Sequence, residues 1–410
     1  MRQEDLFFAI LRAVMWGTKM EIPADTDWRW MLNLAARQKC LHTFSMWIKA
    51  NKIATPFDKS LRSAILAVIG RTARLNHLAA DVITLLAEHN ISSTLIKGYS
   101  LSVLYPDADM RDFGDVDIYV GEENYLRSVE IVTTAFPDAY WHSEVYGGIH
   151  YILVIDGNLD RVVELHRVTM EFNDKKANTF YQAFTKKYLG SSLEKNGVGR
   201  SSVEWRGVEL PIPSAAYNAL YVFMHAWHHF ESTGVGLRPL ADWALSLYNA
   251  HGQLSVEDWQ VLVREIDKIL ISLHMKTVWQ TFGYVMVSQL HLPVTAMPLY
   301  TTRYQRRAER LLRQLLRDGH GGRPMKLCIK EIALMRRFPW ERPAQHRVLQ
   351  IGYTACRLLF DTWQMGKLFP NLAWYNLRHS LRLVCTKKRT LHSCAQSCDS
   401  SRWFVLDQPS

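Results

Sequence analysis

IKGYSLSVLYPDADMRDFGDVDIYV, residues 96–120, is the stretch on which the reading of this chain turns. Its last six residues, Asp115 to Val120, alternate acid or polar with apolar, the period of a half-buried strand. Strand side chains point alternately to two faces, so Asp115 and Asp117 share one face while Val116, Ile118 and Val120 enter a core on the other. At the other end, Ile91 to Lys97 is short and rich in Ile, Ser and Thr, and Gly98 breaks it before a helical run through Leu101 and Leu104. The order is strand, glycine turn, helix, acidic strand.

Working outward, Glu122 to Phe136 reads as a helix. Ala139 to Tyr146 and His150 to Ile155 read as strands around Gly147-Gly148, Arg161 to Arg167 as a strand after Asp156-Gly157, and Val203 to Leu210 as a last hairpin turning at Gly207. Upstream, from Leu6 to about Asn90, apolar residues recur three and four apart, as in Leu6, Ile10, Ala13 and Val14 or Leu61, Ile65 and Val68, which is helical spacing. Downstream, Pro211 to Ser214 opens a long helical region rich in Trp, Tyr and Leu. The longest uncharged stretch, Thr277 to Thr302, contains Gln280, Ser288, Gln289, Pro293 and Pro298, which suit a buried helix running into a loop better than lipid. The expected class is α+β: an N-terminal helical region over 1–88, a mixed α/β core over 89–210, and a C-terminal helical domain with a basic tail over 211–410.

Two adjacent carboxylates on one strand face are what phosphoryl and nucleotidyl transfer require. Cations held by oxygen ligands activate the attacking oxygen and neutralise the charge that builds on the leaving pyrophosphate. Glu164 in RVVELHR is the candidate third carboxylate, with His166 two residues on and facing the same way. His166 is open to three readings: nucleotide or acceptor contact, proton shuttle, or closure of the sheet edge. Lys97-Gly98 offers backbone N–H groups and a helix start to a triphosphate, and Lys97 and Arg111 offer it positive charge. A further group, His225, His228, His229 and Asp242, lacks the HExxH pattern, and packing or acceptor-pocket lining is the better reading than a metal site. Arg238 and Asp242, four apart, form an expected ion pair.

Composition narrows the setting. A chain of 410 residues, 48% hydrophobic, is too apolar for wholesale disorder and long enough for more than one packed domain. The six cysteines, Cys40, Cys328, Cys356, Cys385, Cys394 and Cys398, include no CxxC pair, which fits a reducing cytoplasm, with Cys394 and Cys398 read as free thiols. Glu4 and Asp5 stand where a signal peptide would be basic, so a cytoplasmic location is expected. The net charge of +10 belongs to residues 301–410, which carry 21 Lys and Arg against 7 Asp and Glu. There Tyr304, Ala308, Leu311, Leu312, Leu315 and Leu316 make an apolar stripe, and Arg303, Arg306, Arg307, Arg310, Arg313 and Arg317 fill the other faces. Trp374, Leu377, Leu381 and Val384 repeat the pattern beside Arg378 and Arg382. These helices read first as solvated faces, with a nucleic acid such as a tRNA-like partner, or an anionic membrane surface, as sharper alternatives.

IKGYSLSVLYPDADMRDFGDVDIYV followed by VVELHR resembles the poorly characterised nucleotidyltransferase family 5 of the nucleotidyltransferase-fold superfamily, and HAWHHFESTGVGLRPLADWALSL resembles that family's helical half. Together these cover roughly residues 90–250. The Gly-Ser usual in the superfamily is Gly98-Tyr99 here, with Ser100 one place later. The resemblance implies a transferase that moves a nucleoside monophosphate from an NTP to a protein, small-molecule or RNA acceptor. Two Mg²⁺ would sit on Asp115, Asp117 and Glu164, with the phosphates near Lys97, Gly98, Ser100, Arg111 and His166. A catalytically silent nucleotide-sensing or partner-binding module is the alternative.

Overall fold

The computed structural model describes residues 2–141, 150–155, 160–172, 174–189, 201–232, 234–320, 366 and 368–374. Met1–Arg337 forms one compact unit and Phe338–Ser410 a second. The expected Gly147-Gly148 and Asp156-Gly157 turns, every cysteine except Cys40, and the Leu377, Leu381 and Val384 stripe lie outside the described residues. Cys40 is a buried free thiol.

The helical spacing of the first 90 residues becomes four helices, α1 (Gln3–Trp16), α2 (Trp28–Arg37), α3 (Leu41–Ala50) and α4 (Asp58–Glu88). Asp27 starts α2 by accepting a hydrogen bond from the Trp30 backbone N–H, and Gly17, with φ 64°, ends α1 in the left-handed conformation. Next come β1 (Thr94–Ile96), the single turn α5 (Tyr99–Ser102), β2 (Val116–Tyr119) and α6 (Tyr125–Ala135). The strands β3 (Tyr140–Trp141), β4 (His150–Val154) and β5 (Val162–His166) complete a five-stranded mixed sheet in the order β1-β2-β5-β4-β3. β2 and β5 run parallel at its centre; the other pairings are antiparallel.

The alternation in DVDIYV is realised. Val116, Ile118 and Val120 join Val163 and Leu165 of β5 in a core with Leu78, Val82 and Ile83 of α4 and Val132 of α6. The strand is two residues shorter than its sequence pattern, for Asp115 falls on the bend just before it and Val120 just past its end. A second surface of the core is closed by the hairpin β6 (Ser201–Trp205) and β7 (Val208–Ile212), where Arg206 and Gly207 both take positive φ, as a two-residue hairpin turn requires.

Between β5 and that hairpin lies α7 (Lys175–Leu189), a helix that the sequence reading left unassigned. The rest of the unit is helical: α8 (Ala215–Ser232), α9 (Leu237–Gln253), α10 (Val256–Ser272), α11 (Lys276–Leu290) and α12 (Gln305–Asp318). Phe223, Trp243 and Trp279, from three of these helices, pack with ring centroids 4.7–4.9 Å apart, and the indole N–H groups donate to the Ala219 and Pro298 carbonyls. Among the described residues no helix is long and apolar enough to cross a membrane.

Ile118 sits fully buried in β2, an interior strand of the sheet. Ile118→Ala is expected to lower unfolding stability by about 2–5 kcal/mol, read as a reduced urea midpoint.

Candidate active site

At the end of β1 the chain makes two unusual moves in succession. Lys97 takes φ 59°, and Gly98 follows at φ 50°, ψ −126°. A Cβ on Gly98 would meet the Phe113 ring at 3.5 Å, an ordinary contact, so it is the dihedral rather than the space that calls for glycine. The reversal brings Lys97 Nζ to 2.5 Å from Asp117 Oδ1.

β2 and β5 pair with Asp117 opposite Glu164 and Tyr119 opposite His166. Because the strands are parallel and in register, residues opposite each other point to the same side of the sheet. Asp117, Glu164 and His166 accordingly bring one ligand atom each to within 4.8 Å of the others. His166 Nε2–H donates to Asp117 Oδ1 at 2.9 Å and lies 3.3 Å from Glu164 Oε2. Carboxylates only accept, so this ring nitrogen carries the proton. Asp115, at the bend, is outside that group among the described residues, yet its carboxyl feels the charges of Asp117, Lys97 and His166.

The electrostatics follow from burial opposed by charge. Burial pushes the Asp115 pKa up, and the neighbouring Asp117 adds to the rise. Burial also acts to raise Glu164, but the hydrogen bond from His166 and the charge of Lys97 outweigh it and leave the group at about 2. Desolvation acts to lower both His166 and Lys97, and the facing carboxylates reverse this, so each is raised. Two cations thus balance the acids around one buried Asp117.

Two expected phosphate contacts are corrected. Arg111 is 5% exposed, not solvent-facing. Its Nε and Nη2 donate to Asp242 Oδ1 and Oδ2 at 2.8 and 2.9 Å, and its Nη1 donates to the Gly98 carbonyl at 2.9 Å. With the fork engaged in this way, Arg111 buttresses the turn from behind. Ser100 is buried too, its Oγ donating to the Lys97 carbonyl at 2.7 Å, and α5 is a four-residue turn with little dipole to offer an anion. The expected Arg238–Asp242 pair is also replaced. Arg238 Nη1 donates to Asp112 at 2.8 Å, and Asp242 takes Arg111 together with the Tyr105 hydroxyl at 2.9 Å. The GVGLRPLAD segment therefore grips residues 105–112 with two charges from α9. Gly236 lets the start of α9 lie close against the end of α2, since a Cβ there would fall about 2.5 Å from the Gln38 carbonyl oxygen.

Over the carboxylate side of the sheet, α8 contributes Tyr221, which feels the charges of Lys97, Asp117 and Glu164, and His225, which feels those of Lys97 and His166. His225 and His229 share a hydrogen bond between their Nε2 atoms at 3.1 Å. Burial holds the His225 pKa well below the usual histidine value and His229 at about 4, so both rings are neutral at pH 7. Asp242 points to Arg111 rather than to these rings, and among the described residues no cluster of three ligating groups includes them. They form a neutral imidazole wall beside the acidic site.

Comparison with known proteins agrees with this architecture. The profile of a family described as uncharacterised nucleotidyltransferase matches residues 24–274, and the chain belongs to that family. No curated protein matches. Among solved structures, an antigenic nucleotidyltransferase-like protein from Paracoccidioides brasiliensis is 16% identical, with a TM-score of 0.32 over 57% of this chain and 94% of its own. At that TM-score the assignment rests on the family and on the site itself.

Removing Arg111 strands the buried Asp242 carboxylate. Arg111→Met is expected to destabilise the fold by about 3–5 kcal/mol, whereas adding Asp242→Leu recovers most of the loss in the same denaturant titration. A pH series tests the acid cluster. A carboxyl held below its ordinary pKa stabilises the fold above the unfolded value and loses that contribution as the pH falls through the folded one. Stability is therefore expected to drop as the pH falls from the ordinary glutamate value of 4.5 to about 2, and Glu164→Gln to flatten that part of the curve.

Proposed function

We propose that this protein transfers a nucleoside monophosphate from an NTP to an acceptor hydroxyl. The acceptor oxygen forms a bond to the α-phosphorus, the bond from that phosphorus to the β-phosphate bridge breaks, and pyrophosphate leaves with the electron pair. The observation that carries the reading is the in-register pairing of Asp117 with Glu164 on adjacent parallel strands, beside the Lys97-Gly98 turn.

The donor set fits a hard divalent cation. The Asp117 and Glu164 carboxylate oxygens, within 4.8 Å of each other, can close to the separation of about 3 Å that neighbouring oxygen ligands take around Mg²⁺, while the His166 N–H holds them from the side. Asp115, Asp117 and Glu164 would hold up to two such ions. When bound they lower the pKa of the acceptor hydroxyl and stabilise charge on the phosphates. A Glu164 pKa near 2 favours ligation over general-base work, which wants a group poised near the working pH. His166, hydrogen-bonded to both acids, orients them and is the group placed to take a proton once a metal relieves it of their charge. Lys97 neutralises Asp117, and were a cation to take over that role the ammonium would be free to meet phosphate. Arg111 contributes by fixing Gly98, and the α8 wall, neutral and aromatic, borders the space for the base or the acceptor. A nucleotide bound here without transfer is the competing outcome.

The test is pyrophosphate release with each NTP in the presence and absence of Mg²⁺, followed by mass spectrometry of cell extract incubated with labelled NTP. Turnover that vanishes on chelation and falls at least about 100-fold in Asp117→Asn and Glu164→Gln is expected, a loss of about 2.7 kcal/mol or more in transition-state stabilisation. NTP binding with no metal-dependent turnover in the parent would leave a nucleotide sensor instead.

A further inference from the structure

Four of the five arginines of α12 share one face, with Arg307 set off to the side. Arg306, Arg310, Arg313 and Arg317 recur at intervals of four, three and four, and at about 100° per residue they fall within roughly 60° of arc. All four are exposed. Arg303, in the turn before the helix, extends the row. The opposite side, Ala308, Leu311 and Leu315, is buried.

An ordinary solvated face would intersperse acids. Here Arg317 pairs with its neighbour Asp318, while Glu309 is occupied by Gln305. Among the described residues no carboxylate lies within ion-pair distance of Arg306, Arg310 or Arg313. The cations are arginines throughout, with no lysine between Gln305 and Asp318. Guanidinium is the weakly hydrated fork that binds phosphate oxygens two at a time. Tyr304, half-buried at the start of the helix on the side of the apolar stripe, has the Arg303 guanidinium 5.7 Å and the Arg307 guanidinium 5.1 Å from its ring centroid.

We propose that this arginine ridge docks the phosphodiester backbone of single-stranded RNA. One exposed arginine per turn, about every 5.4 Å, tracks the phosphates of a strand. A lipid surface fits poorly, because a helix that lies in a membrane interface needs an accessible apolar face and this one is buried within the protein. Single strands with unpaired bases are the ordinary targets of RNA recognition. α12 also runs toward the reaction centre: His320, just past its end, has its ring centroid 5.7 Å from that of His229 on α8. The assignment of RNA as acceptor rests on the transfer reading above; the docking itself does not.

Fluorescence anisotropy of the full chain with fluorescein-labelled oligouridylate, without NTP or metal, tests the ridge. Arg306→Gln/Arg310→Gln/Arg313→Gln is expected to weaken binding at least tenfold and to reduce the slope of log K against log salt by about two, since three phosphate contacts are lost. The three side chains are exposed, so an unchanged thermal melt is expected to accompany the loss. Asp117→Asn is expected to bind as the parent does, and such binding without transfer by the parent would overturn the transfer reading alone. Unchanged affinity and salt slope in the triple variant would overturn the ridge. So would parental binding to vesicles of phosphatidylcholine and phosphatidylserine with none to the oligonucleotide.

Discussion

Everything at the acidic site leans on one buried ion pair. Arg111 and Asp242 are 131 residues apart, and their two parallel hydrogen bonds tie α9 to the loop that leads into β2. The same guanidinium holds the Gly98 carbonyl, so one side chain fixes the glycine turn and the approach to the acidic strand together. Such a pair adds little net stability, because desolvating two charges costs nearly what their attraction returns. Its contribution is geometric. A bidentate fork has one good arrangement, and with Arg238 on Asp112 beside it the loop over residues 105–112 is held in one place.

The fold was legible where local chemistry decides it. Val116, Ile118 and Val120 declared a strand face through their period, and Gly207 marked the last hairpin, at whose turn Arg206 and Gly207 both take positive φ. The pairing of Asp117 with Glu164 could not be read from spacing, since strand order and register are tertiary facts, yet the alternation did put both on the polar side. α7 went unread although Ala177, Tyr181, Phe184 and Tyr188 carry helical spacing; the lysines and polar residues between them diluted the signal.

The charged residues show the opposite limit. Arg111, next to a glycine turn and an acidic strand, has the sequence surroundings of an exposed phosphate contact, and its burial depends wholly on a partner far along the chain. Arg238 and Asp242 stand at the spacing of a helical ion pair, but Asp112 and Arg111 compete for them with better geometry and less water. Local pair rules describe exposed helices, where alternatives are few. In a packed interior the tertiary partner wins.

The two ends of the first unit are stitched to each other. Trp16 and Arg12 of α1 donate to the Leu290 and Gln289 carbonyls at the end of α11, Gln38 donates to the Leu315 carbonyl in α12, and the Arg37 carbonyl receives the His320 backbone N–H. During synthesis the helices made first must therefore wait, lacking their native neighbours, until the ribosome has released some three hundred residues. A nascent chain of this kind cannot complete its tertiary structure in order of translation, and its early apolar faces are natural clients for chaperones until the last helix arrives.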